Sequence, residues 1–395
     1  MSATLAIAVV LATAAIAVLV IEAGRGRRAQ SQLGPREWPL IGALLWVLQN
    51  GDRLLDQALV EFTSFGFHVT WSAKWLGSAR HHFTANPAIV EHVLKSNFAT
   101  YVKGPIFAAN LGVLLGSGIF ASDGDKWQAQ RKLISHMFSA REFRETISES
   151  LARHAQQLDA LLLAAGSAPG QVVDFQALFF RFTLDTIGEV AFGDHIGALT
   201  DPAVPFSAAF DEAQLICEHR FVSPGWRVLE HLDGSARRLS AAIRVLNDYC
   251  AELIARRRAL SNSMQRRDLL SRVMNLHPGD AGADLVAAGG DAFLRDFVLN
   301  ALIAGRDTTG QACAWAVWEV ARSPRRLEFE EMLAREATKV LGPVGIDVQP
   351  VGEDGSDAPR EESVAWHDRV TRELRYAHAV VHETLRLHPS VPKST

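Results

Sequence analysis

Cysteine is nearly missing from this chain: of its 395 residues only Cys217, Cys250 and Cys313 carry a thiol. They lie far apart, odd in number and in no C-x-x-C spacing, which argues against a disulfide framework or a structural zinc site. A charge excess is missing too. The 40 Lys and Arg against 44 Asp and Glu give a formal charge of −4, so no basic field invites nucleic acid, and no nucleic-acid partner is expected. No G-x-S-x-G, no H-E-x-x-H and no phosphate-cradling glycine loop occurs, which leaves hydrolase and metalloenzyme readings with little. Internal repeats and coiled-coil heptads are likewise absent.

What the chain does have is apolar substance. Its composition is 48% hydrophobic and 21% charged, enough to bury a sizeable core as one large domain or two ordinary ones. Ala3 to Ile21 runs for 19 residues without a charge or a proline, about 28 Å as a helix against a hydrocarbon core of about 30 Å. We read residues 1–23 as a transmembrane anchor, with a cleaved signal peptide as the competing reading. No positive charge precedes the run, whereas Arg25, Arg27 and Arg28 follow it, which places the rest of the chain in the cytosol. Residues 24–45 read as a basic, proline-bearing linker made stiff by Pro35 and Pro39, and residues 46–395 as the domain proper.

Apolar spacing of three and four residues predicts helices over Ile89–Lys95, Asp125–Phe138, Phe143–Leu163, Phe175–Phe192, Val204–Phe221, Ser235–Leu260, Asp291–Arg322, Leu327–Leu341 and Arg369–Leu387. Only His68 to Phe83 looks like a small sheet, so the fold class is mainly α with a minor β element near the front. Pro278–Gly290 and Gly342–Ser363 read as surface loops.

The stretch Asp291–Arg322 would be a helix about 48 Å long. In its middle stands Ala304-Gly305-Arg306-Asp307-Thr308-Thr309, a polar and poorly helix-forming cluster in which Gly305 alone costs about 1 kcal/mol against alanine. Two readings stay open. The cluster is a cofactor-facing opening, where small residues admit a flat ligand and the Thr308 hydroxyl bonds a carbonyl one turn back or a water. Or it is an N-cap, and the long helix is two shorter ones.

This cluster resembles the central helix of cytochrome P-450 proteins. Three more segments agree in order: Leu114 to Trp127 followed by Arg131, Phe182 to Gly193, and Glu383-Thr384-Leu385-Arg386 followed by Pro389-Ser390-Val391-Pro392. The wording around Lys103-Gly104-Pro105, Leu114 to Asp125 and the cluster itself is similar to the plant-type branch that hydroxylates fatty-acid chains near the ω end. The resemblance implies a haem cofactor, O2, a membrane-bound NADPH-dependent reductase, a lipophilic substrate and the endoplasmic reticulum membrane. It implies that Asp307 and Thr308 deliver protons, that Ala304 and Gly305 border the cofactor, that Trp127 and Arg131 hold a propionate, and that Glu383 with Arg386 braces the far side. Taken as a bare spacing, each motif is also served by ordinary structure: a half-buried Trp beside a solvated Arg, or a surface ion pair such as the Glu22/Arg25 and Glu319/Arg322 spacings also offer. Ile106, Phe107, Phe210 and Leu302 line either an alkyl pocket or plain core. His382 and His388, six apart, share no helix face and read as solvated or capping.

The family's F-x-x-G-x-R-x-C-x-G loop does not occur before Thr395, and none of the three cysteines suits the part of its axial ligand. The expectation for the chain as written is therefore poor folding and no haem, and for its gene a monooxygenase. The alternative is a membrane-anchored remnant that binds apolar ligands without iron.

Overall fold

The computed structural model describes residues 34–35, 42–72, 80–139, 141–167, 170–221, 223, 225–259, 268–280, 282–342 and 369–391. The anchor, most of the linker and the loop over 343–363 lie outside the described residues. Among those described, no helix is long and apolar enough to cross a membrane.

In chain order the elements are α1 (Leu44–Asn50), α2 (Leu54–Phe65), β1 (His68–Ser72), β2 (Arg80–Thr84), α3 (Pro87–Glu91), α4 (Gly104–Leu115), α5 (Gly124–Ser139), α6 (Arg141–Gly166) and α7 (Phe175–Phe192). There follow α8 (Pro205–His219), α9 (Trp226–Leu232), α10 (Ser235–Ala259), α11 (Leu269–Met274), α12 (Ala283–Arg322), α13 (Arg326–Leu341) and α14 (Arg375–Leu387). The mainly helical class with one small sheet is what the periodicity predicts. The described residues form two compact units: the chain up to Val102 with Leu215–Arg237, and Lys103–Gln214 with Arg238 onward.

In the first unit β1 and β2 pair antiparallel, His68 opposite Thr84 and Ser72 opposite Arg80. Alternation along β1 turns Val69 inward, where it packs with Ala43 and Val47 beside Trp46, Phe62, Phe65 and Phe83. The connection after α8 is closed by Arg220, whose Nε and Nη2 donate to Glu230 at 2.6 and 2.9 Å while the guanidinium stacks 4.1 Å from the Trp226 ring.

The second unit is built on α7 and α12. Helix α7 begins where Asp174 accepts from the Ala177 amide at 3.0 Å and ends at Gly193, whose φ of 56° only glycine adopts freely. Leu114, Leu115, Leu184, Phe192, Phe210, Leu246, Leu253, Leu270 and Leu294 are completely buried around it. Helix α12 runs unbroken from 291 to 322, but residues 283–289, expected as loop, are helical too and join it across a kink at Gly290 (φ 52°, ψ −135°). Pro278, Gly282 and the paired glycines at 289 and 290 punctuate this stretch like a loop, yet the Ala- and Leu-rich run between them is a good helix former. The helix predicted over 369–387 is interrupted at Leu374, where φ −77° and ψ 63° leave the helical region.

His154 of α6 is fully buried against α7. Its Nδ1 lies 2.9 Å from the Ser150 carbonyl, so that nitrogen carries the proton, and Nε2 has no partner among the described residues. Burial outweighs the nearby Glu189 and lowers its pKa below 6.5. Above that value both states hold the ring neutral; as pH falls, the unfolded chain takes up the proton first and stability is lost until the folded pKa is passed. His154→Gln is expected to flatten the urea midpoint against pH below about 6.5; an unaltered slope would count against this assignment.

Candidate active site

Helix α7 meets α12 without room for side chains at two points. A Cβ on Gly305 would come 2.7 Å from Ile187, and one on Gly310 2.5 Å from Phe180. Between them the Thr183 hydroxyl donates to the Arg306 carbonyl at 2.9 Å. Gly305 thus serves the approach of α7, and Ala304 is the small residue left exposed. The helix is continuous through 304–309, so the N-cap reading falls. The Thr308 hydroxyl donates to the Ala304 carbonyl one turn back at 2.7 Å, which leaves its lone pairs free to accept.

Arg306 was given no role by sequence reasoning, yet it organises the site. Its side chain is 3% exposed, donates to Asp211 of α8 at 2.5 Å and stands 3.5 Å from Asp307. The guanidinium lies 5.1 and 5.3 Å from the Phe180 and Phe210 rings, an environment in which a delocalised cation is tolerated better than an ammonium. Gln214 of α8 donates to the other Asp307 oxygen at 2.8 Å. Asp307 therefore faces α8.

On the same i+4 ridge as Ala304 and Thr308 stands Asn300. Its Nδ2 donates to the Leu115 carbonyl at 2.9 Å and its Oδ1 accepts from the Phe120 amide at 3.2 Å. One turn earlier Asp296 accepts from the Ser117 amide at 2.8 Å. The loop between α4 and α5 is so closely held that a Cβ on Gly118 would lie 2.1 Å from the Asn300 amide. Phe210 and Leu302, offered as pocket or core, are fully buried, whereas Ile106 is 53% exposed.

The family model described as Cytochrome P450 matches residues 33–395. The chain belongs to the cytochrome P450 family. It is 32% identical over 371 residues to Cytochrome P450 monooxygenase cyp1 of Mycosarcoma maydis, covering 91% of this chain and 54% of that protein. It is 33% identical over 392 residues to Cytochrome P450 704B1 of Arabidopsis thaliana, covering 93% and 72%. To Cytochrome P450 94C1 of the same plant it is 36% identical over 315 residues, covering 78% and 58%. The chain thus spans about half to three-quarters of the length of these relatives. The solved structure of cytochrome P450DA heme domain superposes with a TM-score of 0.69 at 20% identity over 89% of this chain and 69% of that one, which establishes the fold.

The remaining residues expected at a cytochrome P450 site stand on α5 and α14. Trp127 and Arg131 sit one turn apart on α5, the tryptophan half-buried and the arginine exposed. Beside Trp127 lies a cation the sequence reading passed over: Lys103 Nζ is 5.8 Å from its ring and donates to the Ser122 carbonyl at 2.9 Å, and burial lowers its pKa. Glu383 and Arg386 form an exposed pair at 2.6 and 2.8 Å and ion-pair with no third group among the described residues. Their hydrogen bond holds the Glu383 carboxyl below the usual range. His388, expected to be solvated or capping, is the C-cap of α14, its amide donating to the Thr384 carbonyl at 2.7 Å, and its ring also stacks on Trp315 of α12 at 3.9 Å and 3° and reaches Glu319 at 2.7 Å. Two residues on, Ser390 donates to the Thr308 carbonyl at 2.8 Å.

The donor set tests the fit of haem. Cys217 and Cys250 are 0% exposed, and burial pushes their thiols up to about 11 and about 12; the thiol of Cys313, on α12, is raised by the same cause. Cys217 and Cys250 are shut inside helices α8 and α10 and Cys313 lies on α12 itself, so none of the three fits the iron. The exposed Ala304 and the hydroxyl of Thr308 do fit the oxygen-binding side of a flat cofactor.

Proposed function

We propose that this chain supplies the oxygen-side and substrate-side surface of a haem monooxygenase. The reaction converts a C–H bond, O2, two protons and two electrons to C–OH and water, the electrons coming from NADPH through a membrane-bound reductase. The substrate class is a fatty-acid chain hydroxylated at or near its ω end, as in the plant-type branch the motifs resemble. The observation that carries this reading is the unbroken α12 at Ala304–Thr308, with a back-bonded hydroxyl beside an exposed small residue. Haem, when bound, supplies the iron that holds and reduces O2.

The chain's own residues have the remaining tasks. Thr308 offers its Oγ lone pairs to a water on the Ala304 face, and Asp307 replenishes the proton on that water from the Arg306 and Gln214 side, a positioned acid–base function worth about 10²–10⁴ in rate. Ala304 keeps the face open. Trp127 and Arg131 hold a propionate by indole N–H and guanidinium, and Glu383 with Arg386 braces the opposite side. An anchor over residues 1–23 would place the enzyme on the endoplasmic reticulum membrane, facing the cytosol.

Thr308→Ala in a haem-loaded, reductase-driven form of the protein that carries an axial cysteine is expected to lower product per NADPH by at least about tenfold while NADPH use continues; an unchanged ratio overturns the assignment. The unfit cysteines favour a second reading, a membrane-anchored chain that binds apolar ligands without iron. A reduced, carbon-monoxide-bound spectrum free of the thiolate signature would select it.

A further inference from the structure

We propose that residues 388–391 form a strap along α12 in which His388 and Ser390 are positioning residues for Thr308. The inference deepens the reading above, resting on Thr308 as the hydroxyl that holds the proton-bearing water. Thr308, Trp315 and Glu319 are seven and eleven residues apart, which at about 100° per residue sets them on one face of α12 over about 16 Å. His388 is fixed to that face twice, by its ring on Trp315 and by Nε2 on Glu319, a carboxylate that Arg322 also holds at 3.2 Å. Pro389 stiffens the next step. Ser390 then donates to the Thr308 carbonyl.

A carbonyl has two lone pairs, and inside a helix one already takes the amide four residues on. Ser390 takes the second. The turn is thereby bracketed: the Thr308 hydroxyl ties it back to Ala304, and the Ser390 hydroxyl ties it to the chain leaving α14. The backbone turn from which the Thr308 Oγ projects is thus held from outside the helix.

Amide hydrogen exchange on the purified chain tests the strap without cofactor, read over 304–312 and, as a reference, over 246–254 in α10. Ser390→Ala is expected to speed exchange over 304–312 about fivefold, one net hydrogen bond's worth, with 246–254 unchanged; Ser390→Thr restores protection, and His388→Leu acts like Ser390→Ala. No change over 304–312, or equal acceleration in both windows, overturns the strap. Product per NADPH in the same haem-loaded form separates the two levels. If Thr308→Ala and Ser390→Ala both lower it and Ser390→Thr restores it, the positioning role stands. If only Thr308→Ala lowers it, that role falls and the function survives. If Thr308→Ala leaves it unchanged, the proton-handling reading falls and the positioning role with it.

Discussion

Asp211→Asn is expected to cost about 3 kcal/mol in equilibrium urea unfolding, more than removal of its partner Arg306. The asymmetry follows from where each charge sits. The Arg306 side chain is 3% exposed and Asp211 55%, so losing the carboxylate strands a buried cation, while losing the cation leaves a carboxylate that water reaches. Asp307, at 3.5 Å, still compensates part of the stranded charge, which keeps the cost at the low end for a broken buried pair. Arg306→Met retains much of the packing between Phe180 and Phe210 and should cost about 1–2 kcal/mol. The double variant should lose less than the sum of the two. An Asp211→Asn cost no larger than that of Arg306→Met would refute the idea that the buried guanidinium sets the energetics.

Asp185→Ala should cost a comparable amount, about 4 kcal/mol. This carboxylate is 0% exposed on α7 and accepts the amides of Ala198 and Leu199 at 2.8 and 2.7 Å. Those residues are themselves 1% and 2% exposed, so truncation leaves two buried donors that water cannot reach. Asp185→Asn keeps one acceptor and should lose about half as much. The denaturant midpoint measures the total, and amide exchange at 198 and 199 locates it. A loss below about 1 kcal/mol would mean that the 194–199 segment rearranges to satisfy its amides elsewhere.

Where punctuation and period agreed, the sequence was legible. Helix α7 coincides with its predicted bounds because Asp174 and Gly193 flank an apolar period and supply the caps. Helices α1 and α2 escaped because Asn50-Gly51-Asp52 looks like a turn, and α4 because Gly104-Pro105 does. At the site, the turn carrying Thr308 was readable from its composition. Its partners were not: Asp211 is 95 residues from Arg306, Gln214 is 93 from Asp307 and Ser390 is 82 from Thr308. No local period encodes such pairs. A faint signal did exist, since Asp296, Asn300 and Arg306 interrupt an otherwise apolar face, and a polar group there must find a partner.

The contact between Gly305 and Ile187 ties together the inheritance of two distant positions. With no space for a methyl group at 305 while isoleucine stands at 187, a lineage can enlarge the first only after trimming the second. The two codons, more than a hundred positions apart, are thus ordered in time: 187 can shrink by itself, and only then can 305 grow.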